Sequence, residues 1–209
     1  MKKILGLTIA ALLVMGLVGG GTWAYFSDPE SSTGNILTAG TLDLTINSAN
    51  DPVTILSIAN AYPGASGGNS TTLANAGSLN GTLDIAITGV GNIESSPGLE
   101  YTGDSLNGTV GELGAFAQIA MYLDLGGATT YDGSDIGLGP DGNTYTGGSL
   151  IYATVDNYTG DSWTDVYGGN LEPGASDDFY ILWDFPLGAS VNNTPQGDAV
   201  SVNMTFTLE

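Results

Sequence analysis

Phe179-Tyr180-Ile181-Leu182-Trp183-Asp184-Phe185 is the most apolar alternating run in the chain. Phe179, Ile181, Trp183 and Phe185 fall on one face of an extended backbone, and Tyr180, Leu182 and Asp184 on the other, the period-two signature of a strand. The same period recurs on both sides. Downstream, Val200, Val202, Met204, Phe206 and Leu208 alternate with Ser201, Asn203, Thr205 and Thr207. Upstream, Ile119, Met121, Leu123 and Leu125 alternate with Gln118, Ala120, Tyr122 and Asp124; Leu83, Ile85 and Ile87 make a shorter run between Gly81 and Gly89. Leu42, Leu44 and Ile46 alternate with Thr41, Asp43 and Thr45. Residues 53–59, 70–74, 150–155 and 162–167 read as further strands. Residues 90–114 read as a polar connection or a flap of short strands, and residues 126–148 as a second long loop. Short strands with turn signals between them predict an antiparallel β-sandwich. The pattern alone does not separate a jelly roll from another Greek-key sandwich.

Composition narrows the chemistry. The 209 residues suffice for one sandwich with a real core. The 33 glycines are scattered between apolar runs, as in a turn-rich β-protein. The only basic residues are Lys2 and Lys3, and the formal charge is −20. Such a chain repels phosphate backbones, so no nucleic-acid partner is expected. It has no His and no Cys. That removes Ser-His-Asp and Cys-His triads, imidazole and thiolate zinc sites, and disulfides. Carboxylates, hydroxyls, amides and backbone groups remain, so a paired-carboxylate glycosidase or an oxygen-ligand calcium site stays formally open.

The N-terminus has its own pattern. Lys2-Lys3 precede an apolar run from Ile4 to Val18, followed by Gly19-Gly20-Gly21, which is expected to break the helix, and by Thr22-Trp23-Ala24. This reads as a signal peptide over residues 1–24 cleaved between Ala24 and Tyr25; a retained signal anchor is the rival. Cleavage removes both lysines and leaves the mature chain two units more negative. The new terminus is a polar arm, residues 25–35, ahead of a single domain over residues 36–209.

Residues 22–46, which follow the glycine run, join these parts: T-W-A-Y-F-S-D, a short polar arm, and A-G-T-L-D-L. In this they resemble the TasA/camelysin family of secreted fibre proteins, which includes archaeal bundling-pilus relatives. Asn193-Thr194-Pro195-Gln196-Gly197 ahead of the last alternating run is similar in the same way. The resemblance implies an all-β, antiparallel jelly-roll-type sandwich with a free N-terminal donor arm. It further implies a non-enzymatic structural subunit of extracellular fibres or bundling pili in a biofilm matrix. Subunits would join head to tail into a homopolymer, with Tyr25, Phe26, Ser27, Asp28, Pro29, Glu30, Ser31, Ser32, Thr33 and Gly34 pairing as an added strand with the next subunit. Neighbouring filaments would be partners in bundles, and no membrane would be bound after signal cleavage. A monomeric cell-surface adhesin of the same fold is one alternative. A camelysin-like secreted protease is another, although the chain lacks H-E-x-x-H and any His.

Three further features bear on function. N-x-S/T sequons stand at Asn69, Asn80, Asn107, Asn157, Asn192 and Asn203 and are candidate glycosylation sites. Asp132, Asp135 and Asp141, with Asn143, crowd one loop and are weak calcium candidates whose spacing is not that of an EF-hand. Glu172, Asp177 and Asp178 open a strand, where adjacent carboxylates point to opposite faces and suit acid/base work poorly. No catalytic residue is assigned. Pro63-Gly64-Ala65-Ser66 and Pro173-Gly174-Ala175-Ser176 echo each other and read as two type II turns rather than a duplicated motif.

Overall fold

A computed structural model describes residues 2–21, 39–50, 56, 62–94, 111–187 and 198–209. The chain divides into two units, Met1–Ala39 and Gly40–Glu209. In the first, α1 (Lys2–Gly21) takes in the whole apolar run and continues through the three glycines that were expected to end it. Glycine costs a helix about 1 kcal/mol per residue relative to alanine but does not forbid it. Among the described residues no helix is long and apolar enough to cross a membrane. The Ala24–Tyr25 junction and the arm from Tyr25 to Gly34 lie outside the described residues, as do Asn107, Asn192 and nearly all of the strand expected at 53–59.

The second unit is mainly β-strand and forms two antiparallel sheets. Its elements are β1 (Leu44–Ile46), β2 (Ser66–Asn75), β3 (Leu83–Ile93), the one-turn helix α2 (Leu113–Phe116), β4 (Gln118–Asp124), β5 (Ile136–Leu138), β6 (Thr144–Thr146), β7 (Ala153–Thr154), β8 (Ser162–Trp163), β9 (Ser176–Asp184) and β10 (Ala199–Leu208). The larger sheet runs β1-β2-β9-β4-β5-β6, with β7 also paired to β4; the smaller runs β10-β3-β8. Inward side chains of both sheets meet in one apolar core: Leu73, Ile119, Met121, Leu123, Phe179 and Ile181 from the larger, Leu83, Ile85, Ile87 and Trp163 from the smaller. Burial of each such side chain is worth about 1.5–3 kcal/mol, which lets a chain without disulfides hold together.

The run that opened the sequence reading is the hub. β9 pairs β2 from Ser66↔Asp184 to Ala74↔Ser176, and pairs β4 on its other side from Gln118↔Asp184 to Asp124↔Asp178. Both Pro-Gly echoes are turns that lead into this pair. Ala65 N donates to Tyr62 O at 2.9 Å and Ala175 N to Glu172 O at 3.0 Å. Gly64 and Gly174 sit at φ 88° and 79°, the positive values a type II turn requires.

Several expected boundaries move. β2 begins earlier, at Ser66, through polar Gly67-Gly68-Asn69. The predicted loop 126–148 contains the short strands β5 and β6, and the strands expected at 150–155 and 162–167 shrink to two residues each. β3 does not stop at Gly89 but continues to Ile93. It does so across a bulge: Met204 pairs Ile87 while Asn203 pairs Gly89, leaving Thr88 as the extra residue. Before the bulge the inward residues of β3 are odd-numbered, Leu83, Ile85 and Ile87. After it they are even-numbered, with Val90 opposite Val202 and Asn92 opposite Val200, and the three valines pack on the core.

Candidate metal centre

The phase change at Thr88 decides where β3 delivers its last residue. The ladder ends at Ile93↔Ala199, so Glu94 and Asp198 stand one step beyond it, opposite each other. Like charges in that relation repel. Glu112, immediately before α2, joins them, and its N–H donates to Asp198 Oδ2 at 2.8 Å. One carboxylate oxygen from each of Glu94, Glu112 and Asp198 lies within 4.8 Å of the other two. Among the described residues this is the one group of three acidic side chains so disposed. All three residues are half-buried, and Oε2 of Glu94 with both carboxylate oxygens of Glu112 is shielded from solvent.

The corner is built by polar side chains that pin α2. Asn92 Oδ1 accepts from Gly114 N at 2.8 Å, and Asn92 Nδ2 donates to Asp156 Oδ1 at 3.0 Å. A side chain at Gly114 would collide with both of those oxygens, and one at Gly111 would stand 2.6 Å from Ile93 O. Glycine at 111 and 114 therefore lets the segment carrying Glu112 close onto the end of β3. An all-oxygen, triply anionic donor set suits a hard divalent cation such as calcium, magnesium or manganese. With no His or Cys in the chain, an imidazole or thiolate zinc site is excluded.

The calcium candidates Asp132, Asp135 and Asp141 do not belong to that group among the described residues. Asp135 is fully buried; its Oδ1 accepts from Leu125 N at 3.1 Å and its Oδ2 from Asp132 N at 2.7 Å. Asp132 Oδ1 accepts from the N–H and hydroxyl of Ser134, which holds its pKa below the usual carboxylate value. Asp141 lies in a separate turn, where its N–H donates to Asp161 Oδ2 at 2.9 Å. Asp124 belongs to the same loop system. Its Oδ1 accepts from Gly126, Gly127 and Ala128 N–H groups at 3.1, 2.6 and 3.3 Å, and its Oδ2 from Thr129 N at 2.9 Å. The carboxylates of Asp124, Asp132 and Asp135 thus close loops on backbone donors.

The remaining sequence candidates are scattered. Asn69, Asn80, Asn157 and Asn203 are exposed on separate elements. Asp178 Oδ1 accepts from Thr72 Oγ1 at 2.6 Å across β2 and β9. Asp177 faces the Tyr167 hydroxyl instead, and burial first, then the Asp124 and Asp178 carboxylates, raise its pKa. The separation of the two neighbours agrees with the sequence reading.

Sequence reasoning passed over Glu94, Glu112 and Asp198. Glu94 and Glu112 lay in a presumed connection, and Asp198 stood outside the last alternating run. One signal was available: apolar alternation in β3 breaks after Ile87 and resumes out of phase at Val90.

The family model described as camelysin metallo-endopeptidase matches residues 1–96. That stretch contains Glu94 and supports the camelysin part of the resemblance, not the fibre part. No curated protein matches the chain. The family match overturns the expectation of a non-enzymatic, polymerising fibre subunit of a biofilm matrix, because the matched family is named for proteolysis. It favours the protease alternative.

Proposed function

We propose that the chain is a secreted, camelysin-like metallo-endopeptidase whose cation is held by Glu94, Glu112 and Asp198. The carrying observation is the family match over residues 1–96, and the convergence of three carboxylates supplies the donor set that such a reading needs. Once bound, a divalent cation would supply Lewis acidity toward a peptide carbonyl or a water molecule. The protein's own part is positional. Asn92, braced by Asp156, fixes α2; the Glu112 N–H holds Asp198; and the β3–β10 ladder sets Glu94 opposite Asp198. The reading includes residues 1–24 as a cleaved secretion signal and a jelly-roll connectivity for the sandwich.

Casein cleavage by the purified full chain is the test, run with calcium, magnesium, manganese or zinc in turn, with and without chelator. Cleavage is expected to stop with chelator, return with one cation and be lost in Glu112→Gln. Failure with every cation, or a rate indifferent to chelator, refutes the proposal. N-terminal sequencing of the secreted protein is expected to begin at Tyr25.

A further inference from the structure

The outer face of the larger sheet carries a second site, independent of the metal corner. A cavity of about 380 Å³ lies over β2, β9 and β4. Its aromatic wall is Tyr122, Tyr131 and Tyr180, and Ser70, Thr129 and Thr130 supply hydroxyl groups. The register explains the wall. Ser70, Tyr180 and Tyr122 form one row across three strands, which stacks the Tyr180 and Tyr122 rings at 4.8 Å and 5°. Tyr131 meets Tyr122 edge-on at 5.5 Å. Tyr122 is 1% exposed and props Tyr180, which is only half-buried.

The floor and far wall are fixed beforehand. A side chain at Gly68 would collide with that of Leu182, so glycine keeps the floor low. The loop bearing Thr129, Thr130 and Tyr131 is clamped at both ends by the buried carboxylates of Asp124 and Asp135. A ligand there meets a site already ordered, which lowers the entropic cost of binding.

The lining selects the ligand class. In a chain with 22 acidic residues, no lining side chain is ionised at neutral pH. With no Lys or Arg in its lining, the cavity offers no cationic group to hold a phosphate, sulfate or uronate. Parallel stacking of Tyr122 and Tyr180 presents one flat surface, not a box of rings around a cation. A flat aromatic surface edged by neutral donors and acceptors matches a molecule with an apolar face and a rim of hydroxyls. We propose that this cavity binds a neutral saccharide, with one sugar ring stacked on Tyr180 and its hydroxyls bonded by Ser70 and the Thr129–Thr130 segment.

Calorimetric titration tests this on the full chain made in a host without N-glycosylation, so that no attached glycan competes. The probes are cellohexaose, chitohexaose and mannohexaose, with hyaluronate, choline and the peptide Gly-Tyr-Gly as controls. At least one neutral hexasaccharide is expected to bind with a Kd below about 1 mM. Tyr180→Ala is expected to weaken it at least about tenfold. Ser70→Ala, at an exposed position in the Tyr180–Tyr122 row, should weaken it about threefold, and Tyr180→Phe less than either. Unchanged melting temperatures would place these losses in the site. Absence of binding by all three hexasaccharides overturns the proposal, as does affinity unaltered in both alanine variants. Tighter binding of hyaluronate, choline or the peptide overturns it too.

Discussion

Calcium should raise the melting temperature of this protein, and Glu112→Gln should remove most of the rise. With oxygens of Glu94, Glu112 and Asp198 within 4.8 Å, each ionised pair repels by roughly 3 kcal/mol at an effective dielectric constant of 20. Partial exposure reduces this to about 1 kcal/mol per pair. A cation at one hundred times its Kd stabilises the folded state by about 2.7 kcal/mol. At about 2–4 °C per kcal/mol for a chain of this size, the shift is about 5–10 °C. Calcium also screens the general negative charge, so the comparison is made at matched ionic strength in sodium chloride. Glu112→Gln keeps the N–H bond to Asp198 and deletes one of three charges. In chelator it should melt about 4–8 °C above the parent, because two repulsive pairs vanish. In calcium it should gain less than half the parent's shift. Scanning calorimetry of both proteins reads all four values. Equal calcium shifts in parent and variant would refute the site, and so would a variant that melts below the parent in chelator.

Other expectations rest on single groups. Asn75 is fully buried, and its side chain bonds Leu79 O, Leu171 O and Gly77 N at 2.8, 2.9 and 2.9 Å, so Asn75→Ala should cost about 3 kcal/mol, read as a lower urea midpoint at unchanged slope. A loss under about 1 kcal/mol would mean that water replaces those bonds. Tyr122 is pushed up to about 12, by burial first and then by Tyr180 and two aspartates, and Tyr158 and Tyr167 are raised further. Their folded forms hold the proton that the unfolded chain releases, so the stability they contribute is full below about pH 10 and falls as pH rises toward 12. Absorbance titration at alkaline pH should show these phenols ionising together with unfolding; smooth titration of a folded protein near pH 10 would contradict this. Asp177 is raised by burial above its usual 3.8, so its contribution is favourable at low pH and lost as pH climbs through the folded value. Asp177→Asn should leave stability near pH 3 almost unchanged and raise it near pH 7, as measured by urea unfolding; a loss at pH 7 would show that ionised Asp177 is needed.

The long strands were legible because each turns an unbroken apolar row to the core, although β4 is buried on both faces. β4, β9 and β10 follow their alternation almost to the residue. β5 and β6 were not, because Gly137 sits at the centre of one and Thr-Tyr-Thr makes up the other. Gly137 is there for contact: a side chain would occupy the space of the Tyr145 ring. The early part of β2 is hidden for the same reason, with the Trp183 indole lying 2.9 Å from where a Gly67 Cβ would stand. In both places the partner strand supplies the bulk, and a single strand's composition cannot show it. The metal corner is the more distant case. Glu112 and Asp198 are 86 residues apart, and their meeting depends on a ladder and a one-turn helix that local periodicity does not report. Conversely, Asp132, Asp135 and Asp141 were conspicuous by proximity in sequence, yet backbone N–H groups claim the carboxylates of Asp132 and Asp135.

The single surplus residue in β3 gives the strand one residue of slack. Excision of Thr88 would erase the bulge and make Ile87 and Gly89 consecutive rungs against Met204 and Asn203, so Val90, Asn92 and Glu94 would keep their sides. Loss of Thr88 and Gly89 together would put Val90 directly after Ile87, and everything beyond would swap sides. Val90 would then face water, Asn92 would let go of the short helix, and Glu94 would turn its back on Asp198. A lineage can therefore shed one codon here and keep its acidic cluster, but not two.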